Sequence, residues 1–321
     1  MVKRIGVVTS GGDAPGMNAA IRSVTRVAFT KGFEIVGYLR GYAGLLDEQY
    51  INLDVRAVGG IINLGGTFLK TSRADKIKTD VGIREASESL KKISPDGLIV
   101  IGGDGSFRAA DKLYSESGVP MIGIPASIDN DLACTDTTIG FDTAVNTALS
   151  AIDKIRDTAT SHERVFVVEV MGRSRGFIAI EVGVASGAEI ILIPEIKYSI
   201  MEVCERLKHS HQIGKKSGII VIAEGAGDCT EIANFIKTRA GFEVRLTRLG
   251  HIQRGGAPTA FSRLLASRMG AASIRYLLEG EKKVMTAVKN GQIIPVDIEL
   301  AFTQEKKIDE ELYELAAMLA I

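Results

Sequence analysis

Apolar residues recur along this chain in two alternating rhythms. Short, almost unbroken aliphatic runs at Ile5–Thr9, Phe33–Leu39, Gly97–Ile101, Val119–Ile124, Val165–Val170, Ile190–Ile193, Gly218–Ala223 and Val244–Leu249 predict strands. Most are apolar throughout, as strands covered by helices on both faces must be. Between them, helix-period stretches predict helices over Met17–Lys31, Gly82–Lys92, Arg108–Glu116, Thr143–Ala159, Met201–Gln212, Glu231–Arg239 and Thr259–Glu279. Strand and helix in alternation imply largely parallel, doubly wound sheets. Eight strands could also close a (β/α)8 barrel, but the uneven spacing and the long last helix favour open sheets.

Composition narrows the classes. At 321 residues the chain is long enough for about two domains and for a core that needs no disulfide or metal staple. Lys+Arg and Asp+Glu are both 39, and this zero balance excludes a general nucleic-acid or membrane-surface binder while leaving room for a local basic pocket. Cys134, Cys204 and Cys229 are widely spaced, which predicts free thiols in a reducing compartment. The opening apolar run stops at Val8, too short for a signal peptide, and no run approaches the roughly 18 residues of a membrane span. The expectation is a soluble, cytosolic protein. No low-complexity segment or linker marks a domain boundary. Glycine is the excess, at 35 residues, and its placement carries the chemistry.

The string Gly-Gly-Asp occurs twice, at Gly11–Asp13 and Gly102–Asp104, each time after an apolar strand and before a helix. Backbone amides of a glycine turn, together with a helix N-terminus, make an anion site at such a strand end, and the Asp can hold the cation that accompanies phosphates. Gly-Asp is also ordinary turn and N-cap chemistry, so the repeat of the string carries more weight than either copy. Neither copy fits the P-loop or dinucleotide fingerprints.

A second cluster, Ser127-Ile128-Asp129-Asn130-Asp131, sets a hydroxyl and two carboxylates just beyond the strand ending at Ile124. A carboxylate there can serve as general base toward a substrate hydroxyl, although such a run can equally be a solvated acidic turn. Arg245, Arg248, His251 and Arg254 crowd around glycine turns before a long helix, which suits recognition of an anionic group. His162, His209 and His211 lack metal-ligand spacing. Gly172-Arg-Ser174-Arg-Gly176 fits the hydrolase pattern GxSxG, with Asp228 and His251 following in the right order for a triad. Two arginines flanking Ser174 make the tight elbow of such an enzyme a poor fit.

Taken together, Thr9–Asn18, Gly102–Ser106, Ser127–Asp131, Met171–Arg173 and Leu249–Gly256 make the chain resemble, end to end, the ATP-dependent 6-phosphofructokinases of the bacterial type. The resemblance implies transfer of the γ-phosphoryl group of Mg·ATP to the 1-hydroxyl of fructose 6-phosphate. It implies Asp129 as the base and Ser127 beside it, where the family usually has Thr. It also implies Arg173 and Arg73 at the transferring group, and Ala126 where Gly is common. ATP is expected along Gly12, Arg73, Ala74, Gly103, Asp104, Gly105 and Ser106, with Asp104 on Mg2+. Ala74 and Ala109 replace a frequent Cys and Gly. Gly105 stands where pyrophosphate-dependent relatives tend to carry Asp, so ATP is the expected donor and pyrophosphate the alternative. The sugar phosphate is expected at Met171, Gly172, Arg173, Glu224, His251 and Arg254, with Arg164 and Arg245 coming from a neighbouring subunit of a homotetramer. An effector site for ADP and phosphoenolpyruvate is matched by Arg22, Arg26, Arg156, Gly187, Glu189, Lys215 and Lys216. Ile213 and Gly60 depart from it, and a catalytically silent effector-binding subunit is a further alternative. The family pattern gives a large ATP-binding domain over 1–139 and 253–303. A smaller sugar-phosphate domain takes 140–252 and 304–321, with a helix near Ile308–Leu319 returning to it.

Overall fold

In the computed structural model, which describes residues 3–320, each apolar run that predicts a strand forms one. In chain order the strands are β1 (Arg4–Thr9), β2 (Glu34–Tyr38), β3 (Tyr50–Leu53), β4 (Gly97–Gly102), β5 (Met121–Ser127) and β6 (Ile139–Gly140). They continue with β7 (Val165–Val170), β8 (Ile190–Leu192), β9 (Gly218–Ala223), β10 (Val244–Arg248), β11 (Lys283–Lys289) and β12 (Gln292–Asp297). The expected helices form too, with the third starting earlier, at Asp104, and the fourth running longer, over Phe141–His162. The sheets are open and doubly wound, so the barrel alternative falls.

The chain divides into two compact units. The first runs through Ile128 and adds Leu132–Thr143 and Arg254–Lys306; the second holds Asp129–Asp131, Ala144–Gln253 and the chain from Lys307 onward. Met1, Val2 and Ile321, the outermost positions of the expected domains, lie outside the described residues.

The first unit is built on a sheet in the order β12-β11-β5-β4-β1-β2-β3, parallel from β11 to β2 and antiparallel at both edges. Leu98, Ile99, Val100 and Ile101 of β4 are all fully buried, which is why that run reads as apolar on both faces. Helices Met17–Thr30 and Ala260–Leu278 pack together closely because Gly270 has no side chain. A Cβ there would stand 2.7 Å from the Cβ of Ser23, whose hydroxyl donates to the Ser267 carbonyl at 2.6 Å. From β1 the chain winds first to β2 and later to β4 on the other side. The crevice where that winding reverses lies beyond Thr9 and Gly102, the place where open α/β sheets take their ligands.

The second unit has a parallel sheet in the order β10-β7-β9-β8, with Val167, Leu192, Cys204, Leu207, Ile220, Ile222 and Cys229 in its core. The carboxyl ends of its four strands release Met171, Ile193, Glu224 and Leu249. Two of the four segments that follow carry strings singled out in the sequence, Met171–Arg173 and Leu249–Gly256, and a third begins with Glu224. No helix among the described residues is long and apolar enough to cross a membrane.

Candidate active site

In the first unit the two Gly-Gly-Asp loops emerge side by side, because β1 and β4 are paired and the Ser10 amide extends the ladder to the Ile101 carbonyl at 3.0 Å. Gly11 turns at φ +86°, and its carbonyl accepts from the Thr71 hydroxyl at 2.7 Å. A Cβ on Gly12 would lie 2.3 Å from Nη1 of Arg254 and would push aside that guanidinium, which donates to the Asp13 carbonyl at 3.0 Å. The second loop runs into the helix Asp104–Ser117 with Gly103 at its cap. The buried Tyr42 hydroxyl steadies the first turn by donating to the Ser106 carbonyl at 2.8 Å. A Cβ on Gly105 would meet nothing within 4 Å, so the space beside it is open. Glycine amides, a helix N-terminus and Arg254 together suit a phosphate chain.

Asp104 lies in the first turn of that helix, with Nε of Arg108 3.1 and 3.0 Å from its two oxygens. Among the described residues no three His, Cys, Asp or Glu side chains gather to cage a metal. One half-exposed carboxylate beside a phosphate-type loop fits Mg2+ brought in on phosphates, since that ion keeps waters and phosphate oxygens as most of its ligands. Arg73 is exposed, and Ala74 precedes a single-turn helix, Asp75–Lys78.

The second unit holds the expected base. Asp129 is 2% exposed, and its Oδ2 lies 3.1 Å from Nε of Arg173, whose side chain is 64% exposed. Arg173 reaches it from a strained turn after β7, with Gly172 at φ +137° and Arg173 itself at φ +54°. Glu224, at the end of β9, accepts with one oxygen from the amides of both Gly172, at 3.2 Å, and Arg173. Its role in this structure is therefore to hold the Arg173 turn. Gln253 is wholly buried; it accepts from the Met171 amide at 3.4 Å and donates to the Gly250 carbonyl at 3.1 Å, which ties the Met171 segment to the exposed His251.

Arg164 and Arg245 come together on a residue that sequence reasoning missed. Glu243 lies 2.8 Å from Nε of Arg164 and accepts from Nη2 of Arg245 at 2.6 Å. The Arg164 guanidinium beside it, reinforced by Arg245, holds the Glu243 carboxyl below its ordinary range. Arg248 donates to Cys229 Sγ at 2.9 Å and to the Thr230 hydroxyl at 2.8 Å.

Among the residues matched to an effector site, Arg156 donates to the carbonyls of Ser186 and Gly187 at 2.7 and 2.9 Å. It also lies 3.7 Å from Glu189, as Lys215 does at 3.5 Å, around a carboxylate only 8% exposed. Lys216 pairs instead with Glu163 at 3.0 Å. In the first unit Arg26 donates to the Val55 carbonyl at 3.4 Å, and Arg22 is half-buried.

The hydrolase pattern does not form an elbow. Left-handed backbone falls on Gly172 and Arg173 and not on Ser174. Asp228 caps the helix Cys229–Ala240, accepting from the amides of Thr230 and Glu231 at 2.7 and 3.3 Å.

Glycine loops at a sheet's winding reversal, and a buried carboxylate met by an arginine, are the equipment of a phosphotransferase. The chain belongs to the phosphofructokinase family, whose model matches residues 4–277. It is 50% identical over 320 residues to the ATP-dependent 6-phosphofructokinase of Natranaerobius thermophilus, a match covering 100% of both chains. It is 51% identical, again over 320 residues and the whole of both chains, to the enzyme of the same name from Clostridioides difficile. The solved structure of phosphofructokinase from Saccharomyces cerevisiae superposes with a TM-score of 0.91 at 31% identity, covering 98% of this chain and 50% of that one.

Proposed function

We propose that this chain transfers the γ-phosphoryl group of ATP to the 1-hydroxyl of fructose 6-phosphate, giving fructose 1,6-bisphosphate and ADP, as a cytoplasmic enzyme of glycolysis. The observation that carries the reading is the buried Asp129 carboxylate set against Arg173 on a turn held by Glu224. Full-length identity of about half to enzymes named for that reaction supports it.

Phosphoryl transfer asks the protein for position and charge more than for covalent chemistry. The residues proposed for the donor belong to the first unit: Gly12, Arg73, Ala74, Gly103, Asp104, Gly105 and Ser106. Backbone amides there present dipoles to phosphate oxygens, and the open space at Gly105 admits the nucleotide, where an acidic side chain would repel it. Mg2+ held by Asp104 supplies neutralising charge to the β- and γ-phosphates when bound. Asp104 would be the residue that holds the ion, and its pair with Arg108 is exposed and contributes little.

The acceptor is proposed to meet Ser127, Asp129, Met171, Gly172, Arg173, Glu224, His251 and Arg254. Asp129 takes the proton from the attacking hydroxyl, and Arg173 meets the charge that develops on the transferring group. Arg164 and Arg245 are proposed to hold the sugar phosphate from a neighbouring copy in a homotetramer. There the substrate phosphate replaces Glu243 as their anion. Regulation by ADP or phosphoenolpyruvate is proposed at Arg22, Arg26, Arg156, Gly187, Glu189, Lys215 and Lys216.

The test is a coupled assay of the purified protein with fructose 6-phosphate and Mg2+, offering ATP and pyrophosphate in parallel. Turnover with ATP alone is expected. Turnover with pyrophosphate alone overturns the donor and the argument from Gly105, and silence with both in a folded protein points to a non-catalytic subunit.

A further inference from the structure

The turn that carries Arg173 is also gripped at its far end, by a residue that neither the motifs nor the family resemblance assigns. Glu195 follows β8 after Ile193 and Pro194, and its side chain is 15% exposed. Its Oε1 accepts from the Gly176 amide at 3.0 Å and lies 3.2 Å from Nε of Arg175. Oε2 is buried and makes no hydrogen bond among the described residues. A half-satisfied buried carboxylate is costly, so its presence under this turn asks for a reason beyond packing.

The turn needs holding from both ends. Left-handed backbone at a non-glycine residue such as Arg173 persists only where the surroundings over-determine it. The Arg175 amide closes the turn onto the Gly172 carbonyl at 2.9 Å. Glu224, from the end of β9, fixes the amides of Gly172 and Arg173. Glu195, from the end of β8, fixes the Gly176 amide and the Arg175 guanidinium. Two neighbouring strands of one parallel sheet thus each send a carboxylate to one end of a six-residue segment, residues 171–176, that follows β7. Among the described residues no ion pair joins Glu195 to Arg173, so any influence it has on the Arg173 guanidinium passes through the backbone.

We propose that Glu195 is a positioning residue for phosphoryl transfer. By clamping Gly176 and Arg175 it keeps the turn in the arrangement that sets the Arg173 guanidinium against Asp129. The inference rests on the proposed function for what Arg173 and Asp129 do. A half-buried Arg–Glu pair with a merely structural role would affect folding and leave the chemistry of Arg173 alone.

The two roles separate in a double-mutant cycle on the full-length enzyme. Glu195→Ala is expected to lower kcat, with both substrates saturating, by about tenfold, because a displacement of about 1 Å at a catalytic group costs up to ~100-fold. In an Arg173→Ala background the same change is expected to cost less than about twofold, since residues that act as a unit are not additive. Glu195→Gln keeps an acceptor for the Gly176 amide and is expected to recover most of the loss; it also serves where the alanine variant does not accumulate. Equal losses in both backgrounds, or an unchanged kcat in Glu195→Ala, overturn the proposal. Hydrogen exchange over residues 171–176 reads the clamp without turnover. Exchange is expected to quicken in Glu195→Ala, and unchanged protection overturns the clamp. An unsubstituted chain that transfers no phosphoryl group overturns the proposed reaction, and with it the part given to Glu195, whatever the exchange rates.

Discussion

Replacing Asp129 by Asn separates catalysis from stability. The side chain is almost the same shape, and the position is 2% exposed, so packing around it is preserved. Its partner Arg173 has a side chain 64% exposed, so solvent screens that end of the pair. A loss of about 1 kcal/mol would move the melting temperature by less than about 4 °C in a chain of this length. The effect on chemistry is far larger. An amide cannot take a proton from the attacking hydroxyl, and general-base assistance is worth about 10²–10⁴-fold. At 1.36 kcal/mol per decade, that raises the barrier by about 3–5 kcal/mol. The assay is steady-state turnover with both substrates saturating, beside a thermal melt of the same preparation. The expected result is a fall in kcat of at least about a hundredfold, with the KM for ATP within about threefold of the native value. A variant that keeps more than about a third of native turnover removes Asp129 as the base. A variant that loses turnover together with more than about 10 °C of stability shows that the carboxylate supports the fold instead.

Three further outcomes follow from particular contacts. Arg245→Ser is expected to raise the apparent KM for fructose 6-phosphate by roughly tenfold or more, the worth of a lost charge-assisted hydrogen bond, with the KM for ATP unmoved; an unchanged sugar-phosphate KM takes Arg245 out of the site. Gly225→Ala puts a Cβ 2.4 Å from the Arg173 carbonyl, so kcat is expected to fall about tenfold while far-UV circular dichroism stays native, and native turnover would show that the turn tolerates displacement. Backbone hydrogen bonds from Thr230 and Glu231 hold the Asp228 carboxyl below its ordinary range, so its stabilising effect is present above the unfolded value and is lost as pH falls through the folded one. Asp228→Ala is accordingly expected to melt lower than the native protein at neutral pH and level with it in strong acid, without a change in kcat. A melting gap that persists undiminished into strong acid contradicts the cap.

Much of the fold could be read from the chain because the inner strands of both units are covered on two faces. Val165–Val170 and Gly218–Ala223 form strands with the very limits their apolar runs predict. The strands that escaped are edge or hairpin elements. β3 spans four residues and leaves Tyr50 45% exposed, too short and too mixed to stand out. β11 and β12 did leave a signal, since Asn290 and Gly291, at φ +50° and +74°, form the two-residue turn that Asn-Gly favours. Pro295 in β12 argues against a central strand, and it sits on an edge, where a missing amide costs no ladder bond.

The site was legible where chemistry grips the backbone. Glycines that let a loop approach phosphate must lie at fixed places after a strand, and both Gly-Gly-Asp strings do. What the sequence did not show is which distant backbone a side chain holds. Glu224 reaches Arg173 across 51 positions, Glu195 reaches Gly176 across 19, and Gln253 reaches Met171 across 82. No local pattern marks such contacts, because the ends of strands in one parallel sheet bring them together. Arg248 likewise meets Cys229 and Thr230, at the start of a helix 18 and 19 positions away.

The most direct test of the account follows the phosphorus atom itself. ATP labelled at the γ-phosphorus is incubated with the enzyme, fructose 6-phosphate and Mg2+, and the sugar product is isolated and its phosphates are located. One labelled phosphate is expected, on the 1-oxygen of fructose 1,6-bisphosphate, formed at a rate that collapses in Asp129→Asn. Label released as free phosphate, label on any other oxygen, or undiminished transfer by the Asp129→Asn variant would contradict it.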